Sequence, residues 1–362
     1  MACVLALMLV IAVGCSGSDR GRGGQETLEE RVAAAVDRQL NGDTAFADVR
    51  AVLVQANGKI VFERYRESAP GDYHAVWSVT KSVVSTLVGI AVGEGRLSVD
   101  AKLSEMLPAY AAKMKPQVAA VTLEQVLTHT GGFAPDEAAH ANAVVRAADP
   151  IAAILAGGSG EGAFAYSSAG AQLMSAILVE ATGMSVLRYA RTRLFDPLGI
   201  DTRPASQLLV SKANVARYEA ADFAWPVDRA ALHLAWSGLK LKVDDLVKIG
   251  QLYLNEGQWD GQQVVPATWV KAATTRHADT PGVPMDGYGF QWWVGDINGT
   301  AAYMAWGYGG QIIQVVPAHR LVVAVTTEYR PDDPHHRGIN PGPLTYLIKS
   351  AIVGAFTDKT PK

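Results

Sequence analysis

The hydrophobic positions of this chain repeat with a helical period in its middle and form strand-like runs towards both ends. Near the start, apolar residues at helical spacing predict a helix over Glu26–Leu40. Two β-rich runs follow, Ala51–Val54 and Ile60–Phe62. They flank Asn57-Gly58, a dipeptide typical of tight hairpin turns. This segment therefore predicts a β-hairpin.

Helical patterns dominate the middle of the chain. Ser78 to Ala91 is apolar and rich in small residues, and Gly93 and Gly95 bound it, which predicts a buried helix that opens at the serine. From about 99 to 207 the pattern is helical with loops. Three more helices are predicted, over Ala147–Leu155, over Ala169–Thr182 with Gly183 as its C-cap, and over Val243–Asn255.

Strand patterns return in the C-terminal third. The predicted strands are Tyr288–Val294, Ala301–Ala305, Gln311–Val316 and Leu321–Thr327, with a turn at Asn298-Gly299 and a final amphipathic helix over Pro343–Phe356. Strands at both chain ends and helices between them predict an α+β fold. We expect one antiparallel sheet built from N- and C-terminal segments and flanked by helices, with the insertion at about 99–207 forming a mostly helical second lobe.

Composition narrows the class of protein. The 362 residues are 49% hydrophobic and 19% charged, which supports a sizeable core in one large domain or two lobes. A net charge of −3 offers no basic surface for nucleic acid. The cysteines are Cys3 and Cys15, so the body of the chain has neither a disulfide framework nor a cysteine metal site.

The first residues indicate export. Residues 1–14 are apolar but shorter than the roughly 20 residues that span a bilayer, and they suit a signal peptide. The run ends at Ala12–Cys15 and resembles a bacterial lipoprotein signal over 1–15, in which Cys15 is lipidated. Residues 16–25 then form a linker and 26–362 the catalytic domain. The alternatives are an ordinary cleaved signal or a structural N-terminal segment. The prediction is an exported, cell-envelope protein that attaches to the membrane through a lipid on Cys15.

A serine and a lysine lie one helical turn apart in Ser78-Val79-Thr80-Lys81. Positions i and i+3 are about 5–6 Å apart at Cβ, so the lysine can exchange a proton with the serine hydroxyl. Ser-x-x-Lys also occurs by chance, and Ser237–Lys240 is a second match. Lys240 alternates with Lys242 as on a solvated strand, so both are predicted to be surface charges. For Ser78 the alternative is a helix N-cap, which leaves the buried Lys81 unexplained.

Two further segments carry candidate chemistry. Tyr166-Ser167-Ser168 lies between a glycine-rich loop and a helix, where the tyrosine suits proton transfer, unless it is simply buried beside a capping serine. Trp306–Gln311 lies between strands and contains three glycines, which allow close backbone approach. It is either one arm of an oxyanion hole with the Ser78 amide or a plain β-turn. Trp77, Trp306 and Tyr308 are candidates to line an apolar substrate pocket.

The order and spacing of these motifs resemble the serine β-lactamase and penicillin-binding-protein superfamily, over roughly Val49 to Glu328. The match is to class C β-lactamase-like hydrolases, a branch with esterases, DD-carboxypeptidases, D-aminopeptidases and 6-aminohexanoate-dimer hydrolase. Leu127–Gly132 is similar to the family's Leu-Thr-His-Thr-Ser-Gly stretch, and Asp245–Trp269 carries a further match. The resemblance implies a β-lactamase-like fold.

The resemblance also implies roles. Ser78 would be the acylated nucleophile, Lys81 its proton partner and Tyr166 the general base, while Ser168 stands where many members have Asn. Tyr308, Gly309 and Gly310 would fall where members carry Lys-Thr-Gly or His-x-Gly, and the amide of Gln311 would complete the oxyanion hole. His129 would be structural.

These residues predict a serine hydrolase that cleaves a small-molecule ester or amide and needs no metal or cofactor. Tyr308 in place of Lys or His removes a cation for a substrate carboxylate, which favours the esterase and 6-aminohexanoate-dimer hydrolase side. The alternatives are a penicillin-recognising DD-peptidase or β-lactamase, and a catalytically inactive cell-envelope lipoprotein that binds a ligand. His335-His336 beside Asp332 and Asp333 lacks metal-site spacing and is predicted to be a solvated loop. The oligomeric state is left open.

Overall fold

An eight-stranded antiparallel sheet organises the computed structural model, which describes residues 26–133, 145–160, 162–280, 285–330, 335, 337–339 and 341–357. The strands are Val49–Ala56 (β1), Lys59–Tyr65 (β2), Tyr73–Ala75 (β3), Lys240–Lys242 (β4), Gln258–Trp259 (β5), Gln262–Gln263 (β6), Ala278–Asp279 (β7), Gly287–Tyr288 (β8), Trp293–Ile297 (β9), Thr300–Gly307 (β10), Gln311–Val316 (β11) and Leu321–Thr327 (β12). The large sheet has the order β2-β1-β12-β11-β10-β9-β8-β7, while β3 pairs with β4 and β5 with β6.

The two chain ends meet in the middle of this sheet. β1 and β2 form the predicted hairpin, with Asn57 and Gly58 at positive φ in its turn. β1 also pairs with β12 in register, with Val52 opposite Val325. The α+β class, with one antiparallel sheet assembled from N- and C-terminal segments, is therefore confirmed.

Helices cover both faces of the sheet. They are Leu28–Gly42 (α1), Val79–Gly93 (α2), Leu103–Met106 (α3), Pro108–Ala111 (α4), Pro116–Ala119 (α5), Leu123–Leu127 (α6), Pro150–Gly157 (α7), Ser168–Thr182 (α8), Val186–Ala190 (α9), Val215–Glu219 (α10), Val243–Leu254 (α11), Ala267–Ala273 (α12), Pro341–Tyr346 (α13) and Val353–Thr357 (α14). Ala51 and Leu53 pack into a core with α2, α8 and α11, and the alternate residues Val52 and Val54 into a second core with α1 and the C-terminal helices.

Most predicted elements are confirmed within two or three residues, and the ends are set by capping. Asp149 caps α7 through the amide of Ala152, so this helix begins at Pro150 rather than at Ala147. Gly183 closes α8 at φ +66°, as predicted. The final helix is confirmed, but a π-helical stretch over Leu347–Ile352 interrupts it.

One predicted strand is wrong. Tyr288–Val294 is broken into β8 and β9, because the chain turns between them and Gln291 takes a positive φ of 63°. The Gln291 amide nitrogen and its side-chain Nε2 both donate to the carbonyl of Leu127. This turn ties the sheet to α6, a contact across more than 160 residues that a local pattern does not contain.

Between α2 and residue 200 the described residues form helices and loops, from α3 to α9. The boundary of a separate lobe at about 99–207 stays a prediction. Within the described ranges no single helix is long and apolar enough to cross a membrane, although α8 and the following Val186–Phe195 meet that test as a pair bent by 73°. The predicted signal and linker, residues 1–25, lie outside the described residues.

Candidate active site

A buried helix, α2, places the candidate nucleophile. Every residue from Val79 to Ala91 is buried, and the hydroxyls of Ser82 and Ser85 donate to the backbone carbonyls of Gln291 and Phe290. A Cβ added at Gly89 would lie 2.3 Å from the Trp269 ring, so the helix is fitted closely against α12. The start of α2 is therefore held firmly against its surroundings.

Ser78 and Lys81 meet at this helix start as the motif predicts. Lys81 Nζ lies 3.0 Å from Ser78 Oγ, and the Lys81 side chain is 1% exposed. Ser78 occupies the N-cap position, yet its side chain makes no capping hydrogen bond, so capping does not explain it. The preceding Trp77 has φ +47°, a strained conformation for a bulky residue that sets the direction of Ser78.

Two more acceptors fix the lysine. Lys81 Nζ donates to Ser168 Oγ at 3.1 Å and to the carbonyl oxygen of Trp236 at 3.0 Å. Ser168 is the first residue of α8, which Ser167 caps through the amide of Gly170. Three acceptors match the three N–H bonds of an ammonium. The buried charge is thus fully hydrogen-bonded.

The ring of Tyr166 lies beside the lysine, with its centroid 4.7 Å from Lys81 Nζ. Trp293 stacks on it at 5.7 Å, and His129 packs against it at 4.9 Å. His129 is buried, and burial together with the Lys81 charge holds the pKa of its imidazole well below the usual range. A neutral, enclosed histidine fits the predicted structural role better than a catalytic one.

The glycine-rich segment forms the end of β10 and its turn into β11. A Cβ added at Gly307 would lie 2.4 Å from the carbonyl oxygen of Val76, two residues before the nucleophile. The next residue, Tyr308, is 65% exposed, and Gly309 and Gly310 turn the chain with φ of 76° and 102°. The strand end that approaches Ser78 is therefore Gly307–Tyr308.

The side chain of Gln311, whose backbone amide is the predicted oxyanion donor, is held behind the turn. Gln311 is fully buried and pairs with Gly307 across the turn. Its Nε2 donates to the carbonyl and hydroxyl oxygens of Thr327, and its Oε1 accepts from the Thr327 amide. These bonds lock β11 to β12 and so support the turn.

An aromatic cluster and an open cleft adjoin the serine. Trp77, Tyr308 and Tyr329 pack together with ring centroids 4.8–6.3 Å apart. Trp77 also lines a cleft of about 380 Å³ that runs between Tyr329 and the segment Leu208–Glu219. Trp306, expected at the same pocket, packs on Trp293 instead.

The prediction that Lys240 and Lys242 are surface charges is wrong for Lys240, which is 6% exposed. Strand β4 pairs with β3, with Lys240 opposite Ala75, and this places the Lys240 side chain inside the protein. Its Nζ donates to the carbonyls of Tyr218, Glu219 and Ala221. Lys242 is half-buried, with Nζ 4.8 Å from the Tyr73 ring. Strands β3 and β4 are too short for a sequence pattern to predict them.

Sequence reasoning also missed Trp236 and Gln172. The Trp236 carbonyl binds Lys81, and Gln172 on α8 accepts from the neighbouring Ala235 amide. Every residue type has a backbone carbonyl, so no sequence pattern marks the one that binds the lysine, although Trp236 adjoins the second Ser-x-x-Lys string. His336, Asp332 and Asp333 lie outside the described residues.

Comparison with known proteins shows the family of this chain. The family model described as Beta-lactamase matches residues 34–342. The chain is 26% identical over 320 residues to 6-aminohexanoate-dimer hydrolase of Paenarthrobacter ureafaciens, covering 81% of the chain and 76% of that protein. It is 26% identical to penicillin-binding protein 4 of Amycolatopsis lactamdurans, covering 69% and 70%. The class C β-lactamase of Rhodobacter sphaeroides has a similar fold, with a TM-score of 0.64, 17% identity and coverage of 91% and 99%.

Proposed function

Because the chain belongs to the β-lactamase family and is a serine hydrolase of that family, we propose that it cleaves an ester or amide bond through an acyl-enzyme on Ser78. The observation that carries this proposal is the 3.0 Å contact between Lys81 Nζ and Ser78 Oγ, with the lysine buried and bound to two further acceptors. A half-exposed serine with this partner is placed to react with an incoming carbonyl.

In the first step Ser78 Oγ bonds to the substrate carbonyl carbon, and the bond from that carbon to the leaving group breaks. Tyr166 and Lys81 act as one proton-transfer pair with a single basic site between them: the pair accepts the Ser78 proton and passes it to the leaving oxygen or nitrogen. Water then attacks the acyl-enzyme by the reverse route, releasing the acid and returning the proton to Ser78.

The carbonyl oxygen needs two N–H donors in this scheme. We assign them to the amides of Ser78 and Tyr308, since Gly307 brings the end of β10 against the Val76 carbonyl. This proposal takes the Tyr308 amide in place of the predicted Gln311 amide, because Tyr308 directly follows the glycine that meets Val76. The glycine is required because any side chain would separate the strand from the nucleophile.

We propose substrates that need no carboxylate group for binding. Tyr308 stands at the position where the resemblance expects a cation, and its ring is exposed and packed on Tyr329. An aromatic ring at this place favours neutral esters and amides. The similarity to a protein named 6-aminohexanoate-dimer hydrolase supports an amide or ester substrate.

The test is intact-mass spectrometry of the full protein mixed briefly with p-nitrophenyl butyrate. We expect a butyryl mass gain that maps to Ser78, with turnover that Ser78→Ala abolishes while its thermal unfolding is unchanged. Equal turnover by wild type and Ser78→Ala would rule out Ser78 as nucleophile. The Ser237→Ala variant, altered in the second Ser-x-x-Lys string, serves as control and should retain acylation.

A penicillin-recognising activity is the second candidate, favoured by the similarity to a penicillin-binding protein over 69% of the chain. Incubation with penicillin G in the same mass experiment separates the two. A stable penicilloyl adduct on Ser78 would favour this candidate. Neither adduct, with no ester turnover, would favour a ligand-binding protein without catalysis.

We also propose that the protein is exported and lipid-anchored through Cys15. The apolar residues 1–14 followed by a cysteine support this proposal. Expression in a bacterial host with radiolabelled palmitate tests it: label should appear in the wild type and be lost in Cys15→Ala. A labelled Cys15→Ala protein, or an unlabelled wild type, would contradict the anchor.

A further inference from the structure

The cleft beside Ser78 has an apolar wall that stays exposed. Leu209 and Val215 line it and are 42% and 47% exposed, although both side chains are hydrophobic. Trp77 and Trp236 line its inner end, where Trp77 precedes the nucleophile and the Trp236 carbonyl binds Lys81. Exposed hydrophobic side chains that face a concave surface are typical of a ligand site.

A buried lysine holds the end of helix α10, beside this wall, in place. Lys240 Nζ donates to the carbonyl oxygens of Tyr218 and Glu219 at 3.3 and 3.2 Å, and to that of Ala221. Tyr218 and Glu219 end helix α10 and Ala221 lies two residues beyond it, so the lysine charge meets the negative end of the helix. The Lys240 backbone is fixed in turn by pairing of β4 with β3. The lysine therefore joins the segment over the cleft to the rest of the domain.

The same bonds prevent Lys240 from binding an anionic group. With each N–H directed at a carbonyl, the ammonium presents no donor to a substrate. At the rim, Glu328 and Arg330 pair with each other at 2.7 Å. The remaining charged residue of the lining is Glu219, an exposed carboxylate that disfavours an anionic group. Together with the hydrocarbon walls, this suits an uncharged group.

The position of Tyr166 decides which half of the substrate, the acyl group or the leaving group, enters the cleft. The leaving group has to face Tyr166, the proton donor, and Tyr166 lies against Trp293 and His129. The cleft lies instead along Trp77 and Trp236. Building on the proposed function, we propose that Lys240 is a positioning residue that holds Tyr218–Ala221 over the cleft and shapes it to accept an uncharged, apolar acyl group.

The experiment compares kcat and KM for p-nitrophenyl acetate and octanoate. Lys240→Met removes the bonds but keeps the length of the side chain, and should raise KM for octanoate roughly tenfold while the acetate kcat stays within about twofold. Val215→Trp fills the cleft without touching the lysine and should lower kcat/KM for octanoate alone. Lys248→Met is the control for loss of a lysine elsewhere, because it removes bonds to the Gly199 carbonyl and to Asp245 and neither residue lines the cleft.

A binding measurement keeps this inference separate from the proposed chemistry. Calorimetry of octanamide with the full-length Ser78→Ala protein should show binding that Val215→Trp and Lys240→Met each weaken and Lys248→Met does not. If octanamide binds in this pattern but no ester acylates Ser78, the mechanism fails and the cleft assignment stands. If ester turnover is normal but octanoate and acetate respond equally to Lys240→Met and Val215→Trp, the cleft assignment is wrong. Should Lys240→Met not fold, Val215→Trp decides alone.

Discussion

The position that a Cβ would take on Gly307 lies 2.4 Å from the carbonyl oxygen of Val76. Val76 is two residues before Ser78, and Gly307 is the last residue of β10. The end of β10 therefore approaches the segment just before the nucleophile as closely as two backbones allow. This contact, rather than the following glycines of the turn, sets the position of the proposed second oxyanion donor at Tyr308.

Gly307→Ala should inactivate the enzyme. The added methyl would push β10 away from Val76 and move the Tyr308 amide from the acyl oxygen, so we expect kcat for p-nitrophenyl butyrate to fall by about a hundredfold or more. Gly42→Ala is the control, because a Cβ there meets nothing within 4 Å. Unchanged kcat in Gly307→Ala would show that the strand end does not bind the oxyanion.

Two neighbouring serines should give opposite phenotypes when changed to alanine. Ser168→Ala removes an acceptor 3.1 Å from Lys81 Nζ, which should lower kcat by about 10- to 100-fold. Ser167→Ala removes the N-cap of α8, which should lower the free energy of unfolding by about 1 kcal/mol and leave kcat near that of the wild type. Steady-state kinetics and denaturant unfolding of both variants check this. The reverse pattern would assign the catalytic contact to Ser167.

The sequence predicted the fold class and the central Ser78–Lys81 pair because both rest on local periodicity. An i, i+3 spacing on a helix, an Asn-Gly turn and a glycine C-cap each follow from a few adjacent residues. The contact between Ser168 and Lys81 does not follow from any local pattern, since 87 residues separate the two in sequence.

The errors fall where tertiary contacts override local pattern. Lys240 looks like one of two alternating surface lysines, yet carbonyls from a segment about 20 residues earlier bury and neutralise it. For Gln311 the prediction concerned its backbone amide and stays a prediction, while the bonds of its side chain to Thr327 on the next strand were not predicted. In both cases the deciding partner is a group that the local sequence does not show.

Gln311 should therefore matter for stability. Gln311→Leu removes three hydrogen bonds to Thr327 and leaves the Thr327 amide without its buried acceptor. We expect the free energy of unfolding to fall by about 2–4 kcal/mol in urea denaturation. Gln251→Leu is the control, since it loses one side-chain bond to Asn255 and should cost about 1 kcal/mol or less. Equal losses in the two variants would contradict this role.

Acid should destabilise the protein through His233. This residue is 5% exposed, and burial, aided by the Arg191 charge, lowers the pKa of its imidazole to about 4. As pH falls below about 6.5 the unfolded chain binds a proton that the folded protein refuses until about pH 4. Stability is therefore lost across that interval, by an amount on the order of 3 kcal/mol for this group.

His233→Phe removes that titration while keeping a ring against Trp225, 5.4 Å away, and Nδ1 has no hydrogen-bond partner to lose. Urea unfolding at pH 7.5, 5.5 and 4.5 should show a smaller decline in the variant than in the wild type. Some decline should remain, because burial also lowers the pKa of His74 to about 4. An identical pH dependence in the two proteins would mean that His233 accepts a proton as readily when folded as when unfolded, contrary to its burial.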